Sequence, residues 1–264
     1  MTFGVIDPAT MGGAIAAGLF VGILGCLEAG RWLGKRAIRH HGAGHQPSVS
    51  SLEGAVFALM GLLIAFTFSG ALTRFDERRA QVVSEANAIG TAWLRIDLLP
   101  AAAQPKLRDT FREYLDARIT TYRKLPDMAA AKQELARSQK LQSDIWAQAV
   151  DVMRLPDTRT STEVLMMGAL NEMFDITTVR VVATQMHPPG IVYAMLFGLA
   201  LAAALLAGYQ SAGDKRRDWI HQIGFAAILS LTLYVILDIE HPRLGLVRID
   251  AIDQVLIDVR AGMK

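Results

Sequence analysis

The chain is poor in cysteine: its one copy, Cys26, lies inside an apolar stretch. A disulfide framework is excluded, and so is a zinc site built on paired cysteines. A glycine-rich phosphate loop, HExxH spacing and a nucleophile elbow are missing too. No catalytic residue, metal or cofactor is expected, and the reading is that this is not an enzyme. Clustered basic charge is also scarce. The net charge is +2, and the charges alternate in sign along helices, the pattern of a solvated surface, so no nucleic-acid partner is expected. No run alternates apolar and polar residues as a half-buried strand does. MTFGVIDPAT carries no Lys or Arg, so the first apolar stretch is expected to stay as an anchor, not to be cleaved as a signal.

What the chain has is apolar length. Hydrophobic residues make up 52% and charged ones 20%, with a mean hydropathy of +0.29, too apolar for an ordinary soluble domain. Four runs carry that excess: 11–29, 54–73, 190–209 and 220–237. Each suits the roughly 20 residues that cross a hydrocarbon core of about 30 Å. Between the second and third lies an extramembrane region, 74–186, in which residues 75–186 balance 15 Lys and Arg against 15 Asp and Glu. The predicted architecture is all-α: an integral membrane protein with two spans, an extramembrane helical bundle, and two more spans.

The second run organises the rest. No proline interrupts it before Pro100, and beyond the apolar part Phe75, Val82, Ala86, Ile89, Trp93 and Ile96 continue a heptad-like stripe, so one helix is expected to run on to residue 99. Phe57, Gly61, Ile64, Phe68 and Leu72 share one face of its apolar half. These are the candidate pore-lining residues, because an apolar constriction can gate by expelling water. Thr67, Ser69 and Thr73 offer hydroxyls to an ion, although such groups more often bond back to their own helix.

Elsewhere, Ala14, Gly18, Gly22, Cys26 and Gly30 form a ladder of small residues suited to close helix contact. A loop is expected over 30–53, with a short interfacial piece at Trp32, and His40, His41 and His45 read as polar loop residues. Pro100, Pro105, Pro126 and Pro156 divide the middle into four helices. Asp127 is the expected cap of the third, and Ser161 or Thr162 that of the fourth. Glu85 and Asn87 on the extended helix, and Asp175 with Arg180 on the fourth central helix, are candidate buried polar links between helices, with solvated or surface pairs as the alternative. Asp238, Glu240 and His241 close the fourth span and form a candidate ion vestibule. Residues 243–264 should make an amphipathic tail on the membrane or on the bundle. Seven basic residues in the loops 30–53 and 210–219, against none at the N-terminus, favour a multi-pass chain in the plasma membrane with its N-terminus outside.

GLLIAFTFSGALTRFDERRAQVVSEANAIGTAWLRIDLLP (residues 61–100), REYLDAR (112–118), the HPP at 187–189 and DIEHPRLGLVRID (238–250) resemble the pattern of the bestrophin-like family of bacterial and plant membrane proteins. The resemblance covers nearly the whole chain. It implies a relationship to bestrophins, pentameric anion channels whose second span is lined by aromatic residues, here Phe57, Phe66 and Phe68 by placement. Expected partners are therefore the lipid bilayer, further copies of the chain, with a pentamer favoured, and small inorganic ions, with anions favoured. The competing expectation is a non-conducting membrane-anchored sensor or interaction protein that uses the helical bundle.

Overall fold

The computed structural model describes residues 8–41, 50–213, 217–243 and 245–264. The described residues are helical throughout their ordered elements, and four helices are long and apolar enough to cross a membrane. The chain divides into two compact units: residues 1–74 with 187–246, and residues 75–186 with 247–264.

In the first unit, α1 (Pro8–His41) packs along α6 (Gly190–Gln210) and α7 (Trp219–Glu240). Backbone proximity is closest where α1 meets α6. A Cβ on Gly208 would sit 2.1 Å from the Leu27 carbonyl oxygen, and one on Gly30 would sit 2.0 Å from that of Leu205. Small residues therefore do make the seam, as expected of helices packing in lipid, but only at one end of the expected ladder. Ala14 and Gly18 are exposed, and the buried stripe is Leu19, Ile23, Leu27, Gly30 and Gly34. The reason is geometric: a step of four residues drifts around a helix of 3.6 residues per turn, so four such steps in a row cannot hold one face.

α1 also runs through the expected loop at 30–40. Arg31 to Arg39 contains no proline, and its Leu, Lys, Ala and Arg residues are good helix formers, so the helix continues 12 residues beyond Ala29 to His41. His40 is thus helical, and His45 lies outside the described residues.

α2 (Ser50–Arg95) is a single 46-residue helix that enters both units, followed by a 3-10 turn at Ile96–Leu98. The second unit is built from its later half with α3 (Gln104–Arg123), α4 (Met128–Met153), α5 (Thr160–Ala183) and α8 (Gln254–Gly262). The Asp127 carboxylate caps α4, accepting from the Ala129 and Ala130 amides at 3.0 Å each. α5 begins differently from expectation: its N-cap is Arg159, with no side-chain cap, and Ser161 and Thr162 fall inside the first turn. The core gathers Ile89, Trp93, Phe111, Tyr114, Ile145, Met166 and Leu170 from four helices. The tail lies on this bundle: Leu256 is fully buried in the same core, and Arg260 pairs with Asp116 at 2.8 and 3.0 Å.

Candidate pore-lining span and charged clusters

The apolar half of α2 turns Met60, Thr67 and Ala71 inward, a buried stripe of seven- and four-residue steps. The candidate pore face lies beside that stripe. Phe57 is half-buried, with its ring edge-on to Phe225 at 6.1 Å, and Ile64 is half-buried. Gly61, Phe68 and Leu72 are exposed in the single chain, as is Phe66 on the other side. Thr67 donates to the Leu63 carbonyl at 2.6 Å and Thr73 to that of Ser69 at 3.0 Å. Two of the three candidate hydroxyls are thus engaged by their own helix, the usual fate of Thr in an apolar helix.

Where α2 leaves its apolar stretch, Arg74 meets the end of α7. Its Nε lies 3.0 and 3.3 Å from the two carboxylate oxygens of Glu240, and Nη2 donates to Oε1 as well. Glu240 is completely buried, so this paired, charge-assisted contact is what makes its burial tolerable. His187 stacks on His241 with ring centroids 4.8 Å apart, and its Nδ1 is 3.6 Å from Glu240 Oε2. The HPP and EHP segments, 53 residues apart in sequence, are thereby brought together. Asp238 instead braces the chain that follows α7, where its Oδ1 accepts from the Tyr234 hydroxyl at 3.2 Å and from the Leu246 amide at 2.9 Å. A Cβ on Gly245 would lie 2.1 Å from that oxygen, so a side chain there would push the Asp238 carboxylate out of its place. The expected vestibule residues therefore sit in one region, each already engaged, with Glu240 salt-bridged, Asp238 holding the turn and His241 exposed. Among the described residues no group of three His, Cys, Asp or Glu is placed to hold a metal ion.

The second unit holds a cluster that the sequence pattern revealed only in part. Glu85, fully buried on α2, accepts at Oε1 from Arg118 Nε at 2.6 Å and at Oε2 from Arg180 Nη1. Arg118 Nη2 also donates to the Tyr122 hydroxyl at 2.9 Å, and Arg180 lies over the Tyr122 ring, 4.3 Å from its centroid. Of the four candidate links, Glu85 and Arg180 do form a buried polar tie between helices, with each other, whereas Asn87 and Asp175 are exposed. Arg118 is the member that the pattern did not single out. A signal for it exists, since Arg118 stands four residues from both Tyr114 and Tyr122 on the inward stripe of α3.

Comparison with known proteins places this geometry. No curated protein matches the sequence significantly. Solved structures do. Two single-substitution variants of a bacterial bestrophin homolog from Klebsiella pneumoniae superpose with TM-scores of 0.66 and 0.67. Their identities to this chain are 12% and 13%, and the alignments cover 93% of this chain and 98% and 97% of those chains. At such identity the likeness shows the shared fold. The sequence itself matches the model of the bestrophin-like domain across residues 21–252. With its helix order, its long α2 and nine-tenths of its length accounted for in this way, the chain belongs to the bestrophin-like family.

Proposed function

We propose that the chain forms a homo-oligomeric ion channel in the plasma membrane, pentameric as bestrophins are, that passes small ions with anions preferred. The pore runs along α2, lined by Phe57, Gly61, Ile64, Phe68 and Leu72, with Asp238, Glu240 and His241 near one mouth. The N-terminus lies outside. The observation that carries this reading is how α2 is held. α1 approaches both α6 and α7 closely along its backbone, whereas the apolar half of α2 is joined to this group through side chains, at Phe57–Phe225 and Arg74–Glu240. Among the described residues most of its circumference is left open, which suits a helix whose other neighbours are copies of itself around an axis.

The test is halide flux from liposomes containing the purified protein, with the oligomer mass measured by native mass spectrometry. Protein-dependent flux from a species of four or more subunits supports the channel. A monomer or dimer, or an oligomer without flux, rejects it and favours the non-conducting interaction protein.

A further inference from the structure

The last turns of α1 carry Trp32, Lys35, Arg36 and Arg39. The spacing 32, 35, 36, 39 puts all four on one face, opposite Gly30 and Gly34, which are pressed against α6. Glu28 starts the same stripe, four residues before Trp32, and pairs with Arg217 from the segment that leads into α7. Both tryptophans at this end are open, Trp32 at 55% and Trp219 at 47%, and each lies under a guanidinium: Arg36 is 5.6 Å from the Trp32 ring centroid and Arg217 is 5.0 Å from that of Trp219. Among the described residues Lys35, Arg36 and Arg39 meet no carboxylate; the one polar contact of Arg39 is with the Lys35 carbonyl.

We infer that this stripe is a docking site for the phosphate headgroup of an anionic phospholipid. The indoles are amphipathic rings of the kind that settle at the level of the headgroups, and the stripe begins within a turn of the end of the uncharged run. Lys35, Arg36 and Arg39 then stand where lipid phosphates lie, with Arg217 alongside. Guanidinium groups bind phosphate through two parallel N–H donors, which makes Arg36 and Arg39 suited to hold one headgroup firmly. Glu28 supplies the lower limit, because its carboxylate holds Arg217 and repels a second phosphate from the deeper end of the stripe. The site lies in the first unit alone and does not depend on conduction.

Native mass spectrometry of the purified oligomer, with equimolar dioleoylphosphatidylglycerol and dioleoylphosphatidylcholine, reads the preference directly. Wild type should retain the anionic lipid selectively, and each of Lys35→Gln, Arg36→Gln and Arg39→Gln should lower that selectivity by about fivefold. These side chains are exposed, so the variants should fold, and the Glu28–Arg217 pair is left intact as an internal control. Equal retention of the two lipids by wild type, or undiminished selectivity in the triple variant, overturns the site.

Discussion

Arg74 and Glu240 are 166 residues apart in sequence, yet the guanidinium of one lies 3.0 Å from the buried carboxylate of the other. One stands at the end of the apolar half of α2 and the other at the end of α7, so this ion pair fixes the depth of α2 against the rest of the first unit. Replacing Glu240 by Ala leaves a partly buried cation facing an empty position. The expected cost is about 2 kcal/mol, less than for a wholly buried pair because Arg74 keeps some contact with solvent. Thermal unfolding of the detergent-solubilised protein measures it, and Glu240→Gln, which still accepts hydrogen bonds, should lose less.

Glu85 is the sharper case. Its two oxygens serve two arginines, Arg118 and Arg180, and both it and Arg118 are out of contact with solvent. Glu85→Gln leaves two guanidiniums together without their shared charge, at an expected cost of about 3–5 kcal/mol. Loss of folded protein, or a large drop in unfolding temperature, is the predicted result.

Much of the architecture could be read from the residues because the rules involved are local. Asp127 precedes an apolar stripe and caps it; α2 has no proline before Pro100 and does not break before Arg95. The charged centre was harder, for a physical reason. A buried arginine violates the ordinary preference of charge for water, so Arg118 looks like surface until its partner on another helix is known. The extension of α1 was obscured by the opposite error: a cluster of charge after an apolar run suggests a loop, although nothing in it disfavours a helix.

The α1–α6 seam makes a prediction with a built-in control. A Cβ at position 208 would meet the backbone of Leu27, which has no freedom to move aside, so Gly208→Ala should destabilise the protein by about 1–3 kcal/mol or more. Gly224, on α7, has nothing within 4 Å of its Cβ direction, and Gly224→Ala should be neutral or slightly stabilising. Parallel melting curves of the two variants check both statements.

Acid should loosen the start of α7. Asp218 accepts from the amide of His221 and lies 2.6 Å from its ring nitrogen, and these contacts, the backbone bond first, hold its carboxyl below the usual 3.8. A lowered folded value means that the contribution of this cap is complete above that pH and is lost as pH falls through the lowered value. Hydrogen–deuterium exchange at neutral pH should be faster in the first turn of α7 in Asp218→Ala than in wild type, with the rest of the helix unchanged.

The most direct test of the account is conductance of the purified oligomer in planar bilayers, with Ile64→Ala and Phe68→Ala measured against wild type. If these side chains line an apolar constriction on the axis, widening it should raise conductance several-fold or alter selectivity, with no change in oligomer mass. Unchanged conductance and selectivity in both variants would contradict the account and turn this face of α2 toward lipid.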